Sequence, residues 1–337
     1  MYSFRNDYSE GAHPKVLQAL ADTNLRQTVG YGMDPCCQAA ADTIRRLCAA
    51  PDAAVHFLVG GTQVNLVTID AFLQSYEAVV AAQTGHVSTH ETGAIEATGH
   101  KVCTVESSDG KLTPALVESV LAGHNGTEHM VLPRMVYISD TTEIGTVYTR
   151  AELAALRQCC DVHGLFLYLD GARLGSALTS PDNDLTLPEL AALTHAFTIG
   201  GTKVGALCGE AVVFPHGAPA HFMTMVKQQG ALLAKGRLMG LQFDVLFTDD
   251  LYTRISRNAI ETADRLKEGL AAKGYRFYME SPTNQVFPIL ENSQLEALEP
   301  LAKFGFWEKY DDTHTVMRIA TSWATRMEEI EQLIDLM

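Results

Sequence analysis

Short apolar runs alternate with amphipathic stretches over the first two thirds of the chain. The runs Val55 to Val59, Ala78 to Ala82 and Lys101 to Val105 have the length and composition of buried strands. The stretches Gln63 to Gln74 and Thr113 to Ala122 carry apolar residues at helical spacing. This alternation predicts an α/β fold in which a mostly parallel sheet is wrapped by helices.

The alternation continues to about residue 215. We expect strands at Met135 to Ser139 and Leu165 to Leu169, with a helix from Arg150 to Val162 between them. Strands at Phe197 to Gly200 and Glu210 to Phe214 would complete the sheet.

The pattern changes at both ends of the chain. The first residues look like an extended polar arm, and the stretch after Pro219 is helical before a tail of short strands and helices. We therefore expect an N-terminal arm (1–12), a large α/β domain (13–240), and a connecting helix with a small C-terminal α+β domain (241–337). The sequence contains no long flexible linker, so the parts should pack closely.

Composition narrows the classes of partner. The chain has 337 residues, of which 47% are hydrophobic, and a net charge of −15. Nucleic acids and anionic membranes need clustered Lys and Arg, so a small-molecule ligand is expected instead. The sequence has no signal segment or bilayer-spanning run, and its seven cysteines form no obvious disulfide framework. These features predict reduced thiols and a cytoplasmic location.

Lys203 is a candidate nucleophile. It is the only lysine between Lys111 and Lys227 and stands beside a Gly-rich turn between two apolar runs. Desolvation lowers the pKa of an amine and makes it nucleophilic toward carbonyls, as a Schiff-base lysine requires. The alternative is a lysine that extends from a strand end to water.

Two further features suggest ligand binding at strand ends. The turn Gly60 to Gln63 precedes a helix, so its N–H groups could bind a phosphate, or it could be an ordinary capped turn. Asp170 ends an apolar run and needs a cationic partner, either a protonated pyridine nitrogen or Arg173 in a purely structural pair.

Three other side chains leave alternatives open. His86 and His90 are four residues apart, which would allow zinc binding, but they match no zincin motif; capping or surface histidines, or a His86 ring stacked on an aromatic cofactor, remain possible. Arg318 interrupts an apolar strand and could bind a carboxylate or point to solvent. We predict no metal site.

Taken in order, these features resemble fold-type-I pyridoxal-phosphate enzymes, and specifically the threonine aldolase and β-eliminating lyase family. The resemblance is most specific at Leu58 to Leu66, Gly85 to Gly93, Leu169 to Ala177 and Phe197 to Gly205. It also includes the N-terminal segments 5–7 and 31–35, and it extends over essentially the whole chain.

The resemblance implies a role for each matching residue. Lys203 would be the Schiff-base lysine, Asp170 the partner of the pyridine nitrogen and His86 the residue stacked on the ring. The phosphate would be held by Gly61, Thr62, Gln63 and Thr202. The substrate carboxylate would be bound by Asn6, Arg173 and Arg318, with Arg173 also next to the cofactor.

The chain departs from the family pattern on the substrate side. Where Glu-Asn-Thr-His-Asn-Gly is usual, it has the segment Asp140 to Gly145, in which Glu143 replaces the histidine. A second active-site histidine would correspond to His129, one residue out of register. The resemblance implies aldol cleavage of threonine or allo-threonine to glycine and an aldehyde, with His86, His129 or a water as base, by a homodimer or homotetramer. β-Elimination, transamination and non-covalent nucleotide binding are the alternatives.

Overall fold

The computed structural model describes residues 2–124 and 126–337. The chain begins with strand β1 (Tyr2–Phe4), followed by helices α1 (Pro14–Thr23) and α2 (Pro35–Leu47). Both helices have proline in the first turn, where no N–H is needed, and the side chains of His13 and Asp34 cap them.

The larger sheet lies at the centre of the fold. Its strands are β2 (Ala54–Leu58), β3 (Glu77–Ala82), β4 (Lys101–Val105), β5 (Leu132–Ser139), β6 (Phe166–Asp170), β7 (Ala196–Gly200) and β8 (Glu210–Phe214). They lie in the order β2-β8-β7-β6-β5-β3-β4. Strands β3 to β7 pair in parallel, while β8 is antiparallel to both of its neighbours. The predicted α/β fold with a mostly parallel sheet is confirmed.

Helices cover both faces of this sheet. Those that follow its strands are α3 (Gly61–Phe72), α4 (His86–Thr89), α5 (Ala94–Ala97), α6 (Pro114–Ala122), α7 (Arg150–His163), α8 (Leu174–Thr179) and α9 (Leu187–Leu193). One apolar cluster packs α2 and α7 on the sheet, and a second packs α3 on the opposite face. Burial on both faces explains why the strands are continuously apolar.

The C-terminal third contains the smaller sheet. It begins with α10 (Phe222–Gln228), α11 (Arg237–Leu246), a 3₁₀ turn (Thr248–Asp250) and the long helix α12 (Leu251–Ala272). It continues with β9 (Arg276–Phe277), β10 (Gln285–Val286), β11 (Pro288–Glu291), α13 (Asn292–Leu298), β12 (Ala302–Lys309), β13 (His314–Ala320) and α14 (Met327–Leu336). The sheet order is β1-β12-β13-β11-β9, with β10 also paired to β13.

The beginning of the predicted N-terminal arm is extended and packs on its own chain. Tyr2 to Phe4 pair in parallel with β12. Phe4 is buried in the core of the smaller sheet. Burial of this side chain fixes the strand. The division into domains stays a prediction.

Among the described residues, no helix has both the length and the apolar character that a bilayer span requires.

Candidate active site

The site lies where the carboxyl ends of β2, β6 and β7 meet, the usual place for ligands on a parallel sheet. A cavity of about 350 Å³ opens there. Its lining includes the predicted residues Gly61, Thr62, His86, Asp170, Arg173, Thr202, Lys203 and Glu143. A wider cleft of about 940 Å³ shares several of these residues and also reaches Arg318. Residues from distant parts of the sequence therefore come together in one site.

Asp170 is a buried carboxylate at the end of β6. It accepts hydrogen bonds from Tyr137 Oη (2.6 Å), Asn65 Nδ2 (2.8 Å) and the backbone N–H of Ala172 (2.9 Å). Burial alone would raise its pKa, but His86 and these donors together lower it. Asp170 is thus held ionised in a low-dielectric site, where it suits a cationic ligand atom.

The turn before α3 provides a cup for an anion. The helix begins at Gly61 after Gly60, whose lack of a side chain leaves the N-terminal N–H groups without a side-chain cap. These N–H groups and the helix dipole favour a phosphate. Gln63 is used differently, because its Oε1 accepts a hydrogen bond from the N–H of Val59 (3.2 Å). The Gln63 side chain therefore stabilises the turn itself.

Lys203 faces the same cavity from the loop after β7. Burial and the positive charge of Arg173 lower its pKa, although Asp7 and two other carboxylates oppose this. The Nζ atom lies 5.9 Å from the centre of the Tyr8 ring. The preceding residue, Thr202, accepts a hydrogen bond at Oγ1 from the N–H of Gly209 (3.1 Å), which stabilises the loop that carries Lys203.

His86 belongs to a hydrogen-bonded network. Its Nδ1 lies 2.8 Å from Glu91 Oε1, and the same oxygen accepts a hydrogen bond from Asn65 (2.8 Å). Burial would lower the pKa of His86, but Glu91 and the nearby carboxylates raise it. The pairing of Nδ1 with Glu91 fixes the orientation of the His86 ring.

Arg173 is already paired. Its guanidinium makes two hydrogen bonds to Asp7 (2.7 and 3.1 Å), and Nη1 lies 3.8 Å from Glu143. Asn284 also donates to Asp7 (3.0 Å). Despite burial, these carboxylates raise the pKa of Arg173. The predicted contact of Arg173 with a substrate carboxylate would therefore require a rearrangement of this pair.

Arg318, unlike Arg173, has a donor group without a partner among the described residues. It lies on β13, in the cleft, and its Nη1 is 3.4 Å from Gln285 Oε1. Its Nε is buried and has no hydrogen-bond partner within the described residues. An unsatisfied buried donor is costly, so this guanidinium suits an incoming carboxylate.

These residues fit pyridoxal phosphate. The N–H groups before α3 suit the phosphate, the ionised Asp170 suits a protonated ring nitrogen, and Lys203 has an amine of lowered pKa in the same cavity. His86 stands beside them with its ring orientation fixed by Glu91.

Two predicted residues are not brought to the site. His129 lies in the loop before β5, at the amino ends of the parallel strands and so opposite the site. Its side chain is 82% exposed beside Glu128. Asn6 uses its Oδ1 locally to accept hydrogen bonds from Tyr8 and Ser9. Its neighbour Asp7 contacts the site instead.

Sequence reasoning missed several residues of the site. Asp7, Asn65 and Glu91 are buried partners of predicted side chains, and Glu210 lines the cavity. Glu210 had a visible signal, since it is a charged residue at the start of the apolar run of β8. The other three lie in segments whose pattern gives no comparable signal.

Comparison with known proteins agrees with this geometry. Residues 4–293 match the model of the β-eliminating lyase family. A low specificity L-threonine aldolase of Pseudomonas aeruginosa is 31% identical over 335 residues, which cover 98% of this chain and 95% of the relative. A protein of the same description from another Pseudomonas strain is 33% identical, covering 88% and 86% of the two chains.

Solved structures show the same relationship. A threonine aldolase from Leishmania major is 49% identical, with a TM-score of 0.98 and coverage of 100% of this chain and 98% of that chain. Aspartate aminotransferase from Thermus thermophilus is 16% identical, with a TM-score of 0.72 and coverage of 100% and 90%. At that identity the second match shows the fold alone, and it agrees with the fold-type-I prediction.

Proposed function

The chain belongs to the β-eliminating lyase family, and from this premise we propose that it cleaves threonine or allo-threonine to glycine and an aldehyde. It is a pyridoxal-phosphate-dependent carbon–carbon lyase. The observation that carries the substrate assignment is Arg318, a half-buried arginine whose buried Nε has no partner among the described residues, in the cleft that Lys203 also lines.

Pyridoxal phosphate, when bound, supplies a conjugated ring that accepts the electrons of the bond broken at the substrate Cα. We assign its phosphate to Gly61, Thr62 and Thr202, its ring nitrogen to Asp170 and its covalent attachment to Lys203. Gln63 shapes the turn that binds the phosphate.

Arg318 selects the bond that breaks. The bond to be cleaved must stand perpendicular to the ring plane, and a bidentate grip on the substrate carboxylate determines which bond does so. Arg173 is paired with Asp7 and lies near Glu143, so its charge is balanced and it shapes the wall of the cleft without contacting the carboxylate directly.

Removal of the β-hydroxyl proton needs a base in the cleft. His90 and Glu143 both line it together with His86. Burial lowers the pKa of His90 despite the opposing charge of Glu143. Its imidazole is therefore neutral near pH 7 and able to accept a proton. The raised pKa of His86 suits the role of a charged, oriented ring instead.

The proposal is tested with purified protein and added pyridoxal phosphate. We expect visible absorbance, fixation of the cofactor to Lys203 by borohydride, and release of glycine from threonine, allo-threonine or phenylserine. The Lys203→Ala variant is the control and should fix no cofactor. Release of ammonia with 2-oxobutanoate from threonine or allo-threonine, without glycine, would instead identify a β-eliminating lyase.

A homo-oligomer, dimer or tetramer, is part of the proposal. Support comes from exposed apolar side chains in one segment, Leu25, Val29 and Met33, the last of which lines a groove of about 470 Å³. A basic side chain of one subunit could contact the phosphate in a neighbouring subunit. Arg237 donates hydrogen bonds to Thr23 and Arg26 of its own chain, so Lys227 or Lys235 is the better candidate. A fully active monomer in light scattering would contradict this.

We also propose a cytoplasmic location, in keeping with seven free cysteines.

A further inference from the structure

Glu210 is a buried carboxyl group at the edge of the cofactor cavity. It begins β8, pairs in register with Gly200 at the end of β7, and is 3% exposed. One of its oxygens, Oε2, is buried without a hydrogen-bond partner among the described residues. An ionised carboxylate in that state is costly, so a proton on Glu210 or a nearby cation must offset the burial.

Lys203 is the cation whose charge favours an ionised Glu210. It lies in the loop that follows Gly200 and lines the same cavity as Glu210, without contacting the unpaired Oε2. Asp170, from β6, is a repelling carboxylate that cannot help. The other titratable groups near Glu210 are Tyr168, Cys208 and Tyr252. They are neutral at pH 7.

Glu210 is poised to hold a proton. Burial raises its pKa to about 8, although Lys203 and hydrogen bonds from Thr202 and the Gly201 N–H act to lower it. The pKa of Lys203 is lowered by burial at the same time. An acid and an amine whose pKa values are shifted toward each other exchange a proton at little cost in free energy.

We propose that Glu210 is the internal proton partner of Lys203. This inference rests on the proposed function, because Lys203 must alternate between a bound and a free amine. When the substrate amino group displaces Lys203, the O–H bond of Glu210 breaks and a new N–H bond forms at Lys203 Nζ. The product is a carboxylate beside an ammonium ion. The substrate amine reacts in its neutral form after giving its own proton to solvent. The proton on Lys203 returns to Glu210 when Lys203 binds the cofactor again, and the departing product amine takes a proton from solvent.

The proposal is tested by infrared difference spectroscopy of the holoenzyme at pH 7, before and after glycine is added. We expect loss of a protonated-carboxyl stretching band in the wild type. The same loss should occur in Glu261→Gln, an exposed control on α12, and be absent in Glu210→Gln. Stopped-flow absorbance should show the exchange of Lys203 for glycine slowed about tenfold or more in Glu210→Gln.

The outcomes separate this inference from the proposed function. A wild type that takes up no pyridoxal phosphate overturns both. A wild type that takes up the cofactor but shows no loss of the carboxyl band on glycine binding overturns the inference alone, whether or not Glu210→Gln folds. A band loss that persists in folded Glu210→Gln also overturns it, since another group would then supply the proton.

Discussion

Arg318 is the side chain whose replacement best separates substrate binding from cofactor binding. We expect Arg318→Ala to retain visible cofactor absorbance while kcat/KM falls roughly 10- to 100-fold, because a hydrogen bond to a charged group contributes about 1.5–3 kcal/mol. Steady-state glycine release measures this. Arg257→Ala, on the exposed side of α12, is the matched control. Loss of the cofactor absorbance in Arg318→Ala would place the arginine in cofactor binding instead.

Burial of Asp140 should make the stability of the fold depend on pH. It is 2% exposed, accepts a hydrogen bond from the Tyr148 N–H (3.3 Å), and burial raises its pKa to about 7 from a model-peptide value of 3.8. The folded state therefore binds the proton more tightly than the unfolded state. Its contribution to stability is largest at low pH and is lost as pH rises from about 4 to 7.

The Asp140→Asn variant should remove this dependence. Relative to wild type, its free energy of unfolding should increase between pH 5 and pH 8 by on the order of 3 kcal/mol. Urea denaturation at the two pH values measures the change. The exposed Asp52→Asn should follow the wild type. Parallel curves for Asp140→Asn and wild type would show that Asp140 is ionised in the folded protein.

The sequence allowed the central residues of the site to be predicted, but not their partners. Lys203 and Asp170 stand out because a charge interrupts or ends an apolar run. Asp7 gives no such signal, and its pairing with Arg173 joins residues 166 apart in sequence. That contact depends on the fold bringing two segments together, which local patterns do not encode.

At the scale of elements, the helix pair α2 and α11 depends on a glycine. A Cβ at Gly240 would lie 2.4 Å from the Cα atom of Cys37 and 2.5 Å from its Sγ, so the helices would have to separate. We expect Gly240→Ala to lower the stability by roughly 1–3 kcal/mol. Thermal unfolding measures this, with Gly11→Ala as the control because a Cβ there meets no atom within 4 Å. Equal melting temperatures for the two variants would contradict the close packing.

The predicted elements were most accurate where period and burial agree. Lys101–Val105 and Glu210–Phe214 are strands with the predicted limits, because the first is bounded by polar residues and the second by glycine and proline. Helices α8 and α9, with six and seven residues, are too short to show a helical period. Strand β12 was missed because Gly305 and exposed aromatic residues obscure its alternation.

At the scale of the whole molecule, two sheets build one site, and the N-terminal segment joins them. Asp7 contacts Arg173, which follows β6 of the larger sheet, and Asn284, beside β10 of the smaller one. Helix α12 also joins the two sheets. Its first half packs in the core of the larger sheet, and its second half packs in the core of the smaller one.

Asp7→Asn tests this connection. Loss of one partner of a buried ion pair should destabilise the protein by about 3–5 kcal/mol and raise KM, because Arg173 would then reorient toward Glu143. Melting temperature and glycine release measure the two effects. Asp312→Asn, which breaks an exposed pair with Lys309, should change neither. An unchanged melting temperature in Asp7→Asn would show that the pair adds nothing to the junction.

The pairing of β1 with β12 has a consequence for biosynthesis. Tyr2 to Phe4 leave the ribosome about 300 positions before the residues with which they pair. At a translation rate of about 5–20 residues per second, this interval is on the order of tens of seconds. During that time the apolar side chain of Phe4 has no native partner. Completion of the smaller sheet, whose strand β1 lies just before Asp7, the partner of Arg173, is therefore a late step in the folding of each new chain.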